Sequence, residues 1–178
     1  MNAASKPSMS PAALQLTPWH RLVLAVLGFW LSATVLIDGV IMPSLYGSGM
    51  TAQPEFATAG YSLFWVFNRV EILCGAAVLS GLLALRQGRQ EFGVVASGSR
   101  SRWAVGLATL LLAIALLYTY ALTPALSAFG MEMSLNATTA MPAGMMPVQG
   151  LYWVLDALKL SAGVGLLALC CRDLRLTA

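Results

Sequence analysis

The chain has 178 residues, of which 58% are hydrophobic and only 10% are charged. Soluble domains carry about 25% charged residues, so this composition argues against a soluble globular fold and favours a bilayer as the solvent. The net charge of +3 is small, and the positions of the charges, described below, argue against nucleic-acid binding.

The first segment, residues 1–18, is rich in Ser, Pro and Ala and has no apolar period, which predicts a flexible cytoplasmic tail. Residues 19–178 then form a single predicted transmembrane domain. A cleaved signal peptide is not expected, because the first apolar stretch is long enough to span a membrane and carries an acid near its end.

Four apolar stretches follow in chain order, and each has about the 20 residues that a helix needs to cross a bilayer. Pro43 and Pro124 follow the first and third stretches and are expected to close them, because proline has no N–H to continue a helix. The predicted fold is therefore all-α, an integral membrane four-helix bundle. Its helices are expected at about 22–42, 61–85, 103–123 and 151–171.

The flanking Lys and Arg residues all lie on one side of these helices. Segments 43–60 and 124–150 contain none, whereas the N-terminal tail, the middle loop and the C-terminal end carry all of them. Short loops rich in Lys and Arg stay in the cytoplasm, which predicts that both termini are cytoplasmic. The expected partner is thus the lipid bilayer and not nucleic acid.

The two halves of the chain resemble each other. Segments 43–50 and 124–131 share Pro, Leu, Gly and Met at one spacing, and segments 63–71 and 151–159 share Leu, Trp and Val. Two helices per half would make the halves parallel repeats, related by an axis along the membrane normal. The alternative is chance similarity between apolar helices, which use a small set of residue types.

Polar residues interrupt the apolar stretches in one layer. At about 1.5 Å per residue, the charged ones lie about 20–25 Å from the cytoplasmic ends. Arg69 is about 200° from Glu71 around its helix, so we expect Arg69 to pair with Asp38 on the first helix. The members of this intramembrane polar layer are Asp38, Asn68, Arg69, Glu71, Asp156 and Lys159.

The repeat predicts two further pairs in the layer. Residues three apart share a helix face, so a pseudo-two-fold axis would bring Glu71 opposite Lys159 and Asn68 opposite Asp156. The five charges sum to −1, so one acid is expected to hold a proton or a cation. The layer is either a set of ion pairs that fixes helix register or a polar cavity for a solute, ion or proton.

Methionines concentrate in the outer loops, and those of the second loop are candidate metal ligands. Thioethers are soft ligands that suit Cu(I). These loops contain no His or Cys, so the alternative is that the methionines pack on the membrane as flexible apolar filler. The candidate metal residues are Met131, Met133, Met141, Met145 and Met146.

Residues for catalysis are scarce. His20 is the only histidine, which excludes bis-histidine haem ligation within one chain, and it is expected at the membrane boundary. Cys74, Cys170 and Cys171 have no disulfide or zinc spacing. With no nucleotide-binding loop, metalloprotease pair or nucleophile elbow, we predict no enzyme and no cofactor.

Small residues recur four positions apart on two helices, at Ala77 and Gly81 and at Ser161 and Gly165. This spacing lets membrane helices approach closely. Packing within the bundle explains it, and a homodimer seam or a contact with another membrane protein is the alternative.

Several of these residues resemble a known family. Trp30 and Ser32 precede Pro43, Tyr118-x-Tyr120 precedes Pro124, and Leu151-Tyr-Trp is followed by Asp156 and Lys159. This pattern is similar to an uncharacterised family of small four-helix membrane proteins, related to the human transmembrane protein associated with cisplatin resistance. The family has bacterial and cyanobacterial members and no established reaction. The resemblance implies a bacterial plasma membrane or thylakoid location and no catalytic residues.

The function expected from the sequence is therefore that of a multi-pass membrane protein with a scaffold, assembly or accessory role. The alternative is a small transporter, or a copper- or metal-handling protein that uses the polar layer and the methionine-rich loops. A water-sized cavity that reaches the polar layer would favour transport, whereas dry, direct pairs would favour a scaffold.

Overall fold

The computed structural model describes residues 18–50, 53, 55–91, 99–135 and 144–177. These residues are almost entirely helical, and no strand occurs among them. Most of the predicted N-terminal tail, residues 1–17, lies outside the described residues.

Six α-helices and two π-helical segments follow one another along the described residues. The first three elements run on without a break, and so do the fifth, sixth and seventh. The elements are α1 (Pro18–Thr34), the first π segment (Val35–Ile41), α2 (Met42–Gly47), α3 (Phe56–Glu91), α4 (Ser99–Leu117), the second π segment (Tyr118–Leu122), α5 (Thr123–Leu135) and α6 (Met145–Thr177).

Four helical runs are long and apolar enough to cross a membrane, which confirms the four predicted helices. Each run has 28 to 32 residues, and helices of this kind satisfy their own backbone in lipid. We number them as spans in chain order. Span 1 is Pro18–Leu45, span 2 is Thr58–Gln87, span 3 is Ser101–Glu132 and span 4 is Met145–Arg172.

The two prolines do not end the helices as the sequence predicts. The chain remains helical after Pro43 in α2, and after Pro124 it continues through α5 to Leu135. Each proline is the second residue of an α-helix that continues a preceding helical segment, so its missing N–H leaves one backbone carbonyl of that segment without a helical donor. Spans 1 and 3 are therefore longer than the apolar stretches suggested.

A π segment immediately precedes each of these helices. The Met42 N–H donates to the Ile37 carbonyl, five residues back, and the Thr123 N–H donates to the Tyr118 carbonyl in the same way. One wide turn inserts an extra residue and changes the direction in which the following side chains point. Spans 1 and 3 thus carry the same irregularity at the same distance before a proline.

The four spans contact one another in a ring. Span 1 packs against spans 2 and 4, and span 3 packs against spans 2 and 4. Spans 2 and 4 therefore face each other across the centre of the bundle. One apolar core fills the end where α1 begins and α6 ends, and a smaller one packs span 3 against span 4 at the other end.

One glycine sets the distance between spans 2 and 3. A Cβ atom at Gly75 would lie 3.1 Å from Leu112 Cδ1 and 3.4 Å from the Leu112 Cα atom. Because the second distance is to backbone, a larger residue at position 75 would push the two helices apart.

Candidate functional site

Four buried charged residues lie between the two apolar cores. Asp38 of span 1, Glu71 of span 2, and Asp156 and Lys159 of span 4 are each 5% exposed or less. We call these four residues the charged cluster. Ionisable side chains inside a membrane bundle are costly unless they pair, and they usually mark a specific task.

Lys159 is the centre of the cluster. Its Nζ lies 2.9 Å from Glu71 Oε1, 3.0 Å from Asp156 Oδ1 and 3.9 Å from Asp38 Oδ2. Lys159 and Asp156 are three residues apart on α6, which places them on one helix face. The predicted contact between Glu71 and Lys159 is confirmed, and it joins the two diagonally opposed spans.

Glu71 is also bound by span 1. Its Oε1 atom accepts hydrogen bonds from Trp30 Nε1 at 2.9 Å and from the Thr34 hydroxyl at 3.3 Å. Trp30 and Thr34 are four residues apart on α1 and so share a face. One carboxylate oxygen therefore receives donors from span 1 and, through Lys159, from span 4.

Asp38 accepts a hydrogen bond from one tyrosine, which a second tyrosine contacts in turn. The Tyr152 hydroxyl donates to Asp38 Oδ1 at 2.7 Å, and the Tyr118 hydroxyl donates to the Tyr152 carbonyl at 3.0 Å. The Tyr118 ring lies 4.8 Å from Lys159 Nζ, within the range of a cation–π contact. Span 3 thus joins the cluster through a neutral side chain.

Arg69 is not part of the cluster, and the predicted pair with Asp38 is wrong. Its side chain is exposed, and its guanidinium carbon lies 3.9 Å above the Trp65 ring. Trp65 is four residues earlier on the same helix, so the contact is local. Asp38, in contrast, is turned into the bundle from within the first π segment.

Asn68 also differs from the prediction. It is buried, but its Nδ2 donates to the Thr123 hydroxyl at 2.7 Å, and Asp156 instead contacts Lys159. The partner of Asn68 is therefore the residue directly before Pro124 on span 3. This hydrogen bond fixes span 2 against span 3 beside the end of the second π segment.

The cluster has more acceptors than donors. Within the part of the chain that the structure describes, Asp38 Oδ2, Glu71 Oε2 and Asp156 Oδ1 have no hydrogen-bond partner. Asp156 Oδ1 is in ionic contact with Lys159 but outside hydrogen-bond geometry. Since Arg69 lies outside the cluster, the three carboxylates of the cluster face one ammonium group.

Two clefts lie at the ends of the helices, away from the cluster. One has a volume of about 200 Å³ and is lined by residues that include Met42, Met50 and Phe56. The other has about 40 Å³ and is lined by residues that include Leu82 and Arg86. No member of the charged cluster lines either cleft, and its contacts are direct side-chain contacts.

The methionine site stays a prediction. Met131 and Met146 are exposed and Met145 is half-buried, while Met141 and the side chain of Met133 lie outside the described residues. Among the described residues, no group of three His, Cys, Asp or Glu side chains is arranged to hold a metal ion.

Four uncharged members of the site were not predicted from the sequence. Trp30, Thr34, Tyr118 and Tyr152 supply hydrogen bonds or ring contacts to the cluster or to one another. For three of them, the sequence spacing to a charged residue could have indicated a place in the site. Trp30 and Thr34 precede Asp38 by eight and four residues, and Tyr152 precedes Asp156 by four; four-residue steps place side chains on one helix face.

Comparison of the chain with known protein families, with curated proteins and with solved structures finds no match.

Proposed function

We propose that this protein is a non-enzymatic multi-pass membrane protein with a scaffold, assembly or accessory role. The observation that supports this is the direct packing of the charged groups. Glu71 Oε1 alone accepts hydrogen bonds from Trp30, Thr34 and Lys159 at 2.9–3.3 Å. A cluster that ties three helices together in this way fixes helix register, and a fixed bundle suits a protein that binds other membrane proteins.

The proposal includes an orientation and an origin. Both termini face the cytoplasm, the chain is built from two parallel two-helix repeats, and the membrane is a bacterial plasma membrane or a thylakoid. The flanking Lys and Arg residues support the orientation. The repeat draws support from the two π segments, each of which ends two residues before a proline.

Reporter fusions test the orientation. A reporter that is active only outside the cytoplasm is expected to be silent after Ala178 and active within residues 124–150. The reverse pattern would contradict the assignment of both termini to the cytoplasm.

Purification tests the accessory role. The tagged protein, extracted from its native membrane in mild detergent, is expected to carry along a membrane-protein partner at a constant ratio. The matched control is a variant with a changed lipid-facing residue, such as Leu73→Arg, since the Leu73 side chain is 69% exposed. Loss of the partner in this variant would map the contact to span 2. Purified protein without any partner would contradict the role.

A small transporter is the second candidate, and the excess of carboxylates in the cluster favours it. Purified protein in vesicles that contain a pH-sensitive dye would report proton-coupled flux. Proton-coupled flux in these vesicles that is absent from vesicles without protein would overturn the scaffold proposal in favour of transport.

Metal handling has a separate test. If the loop methionines bind Cu(I), a variant with Leu at positions 131, 133, 141, 145 and 146 keeps the fold and loses bound copper. Equal copper content in the variant and the parent protein would leave packing as the role of these side chains.

A further inference from the structure

The charged cluster carries an electrostatic excess that its own side chains do not balance. Asp38, Glu71 and Asp156 face Lys159 alone, so the cluster would have a formal charge of −2 if every group were ionised. Asp38, which is 4% exposed, has its unpartnered Oδ2 directed at Lys159 Nζ at 3.9 Å. A buried charge without a partner is strongly unfavourable and is normally neutralised.

The groups around the cluster offer no further positive charge. Span 1 contributes Trp30 and Thr34, and span 3 contributes the Tyr118 ring; these groups are neutral. Tyr152 on span 4 is neutral and already donates to Asp38. Arg69 points away from the bundle.

The hydrogen-bond donors indicate which of the three acids stays ionised. Glu71 Oε1 accepts from Trp30, Thr34 and Lys159, so three donors stabilise a carboxylate there. Asp38 accepts from one neutral hydroxyl, and Asp156 has only an ionic contact outside hydrogen-bond geometry. Glu71 and Lys159 are thus the natural ion pair, and the two aspartates are left in excess.

We propose that the charged cluster is a proton-binding site that holds two protons at neutral pH, in excess of the ion pair between Glu71 and Lys159. Two protons remove the formal charge of −2. The oxygens that face Lys159, Asp38 Oδ2 and Asp156 Oδ1, stay acceptors for its ammonium group. This inference goes beyond the accessory role and does not depend on it.

A bound cation is the competing way to neutralise the cluster. The three carboxylates are not arranged as a metal-binding group, and Lys159 already occupies the space between them at 2.9–3.9 Å. A water molecule would satisfy the free oxygens but would leave the charge unchanged. Protons remove the charge.

Infrared spectroscopy of the purified protein in detergent tests the proposal directly. A protonated carboxyl group absorbs separately from a carboxylate, so the parent protein at pH 7 is expected to show a protonated-carboxyl band. Asp38→Asn and Asp156→Asn should each remove about half of the band, because each variant lowers the uncompensated charge from −2 to −1, and the double variant should remove all of it. Glu132→Gln changes an exposed acid outside the cluster, so it is the matched control and should leave the band in place.

The change of folding stability with pH gives an independent test, because the proposal fixes the direction of that change. Above about pH 5, aspartates exposed to water are already ionised, so unfolding releases the two protons and raising the pH favours the unfolded state. The folding equilibrium constant of the parent protein is expected to fall about 100-fold per pH unit where both protons stay bound in the folded state. The double Asn variant should lose this dependence.

Absence of a protonated-carboxyl band from the parent protein at pH 7 would overturn the proposal. So would a band that survives in the double Asn variant, or one that disappears in Glu132→Gln alone. Stability that rises with Na⁺ or K⁺ at constant ionic strength, without such a band, would assign the site to a cation instead. The parent spectrum decides the matter even if a variant fails to fold.

Discussion

Replacing Lys159 by Met is the most informative perturbation of the bundle. Methionine keeps the length of the side chain and removes the only cation of the charged cluster. Glu71 Oε1 then loses its 2.9 Å ionic partner and keeps only the two neutral donors of span 1. Breaking a buried pair by removing one partner costs about 3–5 kcal/mol, and we expect a loss in this range because one contact of the cation has full hydrogen-bond geometry.

A double-mutant cycle separates the pair from its surroundings. Gln at position 71 retains an oxygen that can accept from Trp30 and Thr34, so Glu71→Gln combined with Lys159→Met leaves no isolated charge at position 71. The double variant should therefore be more stable than Lys159→Met alone. Equilibrium unfolding in mixed detergent micelles measures all four proteins of the cycle.

Additive losses would refute this reasoning, because residues without direct contact show coupling below about 0.5 kcal/mol. The charge exchange Glu71→Lys with Lys159→Glu is not expected to restore stability. A lysine at 71 would meet the Trp30 and Thr34 donors, and a glutamate at 159 would lie beside Asp156. Arg69→Met serves as the control, since its side chain is exposed and makes only a local contact.

The tyrosine pair and the close approach of spans 2 and 3 give further expectations. Tyr152→Phe should lower the free energy of unfolding by about 1–3 kcal/mol, because Asp38 loses its 2.7 Å donor. Tyr118→Phe removes a donor to a backbone carbonyl and should cost only about 0.5–1.5 kcal/mol. Equal losses in unfolding experiments would contradict this order. Gly75→Leu should destabilise the bundle by about 1–3 kcal/mol through overpacking. Gly106→Leu should have little effect, because no atom lies within 4 Å of the Cβ position at Gly106. Equal thermal shifts for the two variants would show that spans 2 and 3 are not closely packed.

Much of the architecture follows from simple patterns in the sequence. Hydropathy alone locates the four spans, because a helix in lipid must be apolar over its whole length. The interrupting charges at positions 71 and 159 then indicate the contact across the bundle. Both patterns depend on regular helix geometry, which spans 2 and 4 follow.

The incorrect pairs arise where helix geometry is irregular or a partner is uncharged. The pair of Arg69 and Asp38 was predicted from the helical angle of Arg69 and a shared depth, which leaves out the direction that the first π segment gives to Asp38. Asn68 binds Thr123, a hydroxyl partner that charge matching does not consider. Arg69 had a sufficient local partner in Trp65, which a search for an opposite charge does not find.

The order of synthesis gives the charged cluster a consequence for biogenesis. The acids Asp38 and Glu71 belong to spans 1 and 2, whereas their cation, Lys159, belongs to span 4, which emerges from the ribosome after them. Until span 4 inserts, the nascent bundle presents uncompensated acidic groups at its centre, and arrival of Lys159 completes the pairing. A chain truncated before Met145 lacks that step, so the membrane quality-control machinery would meet a three-helix intermediate that is chemically distinct from the finished protein.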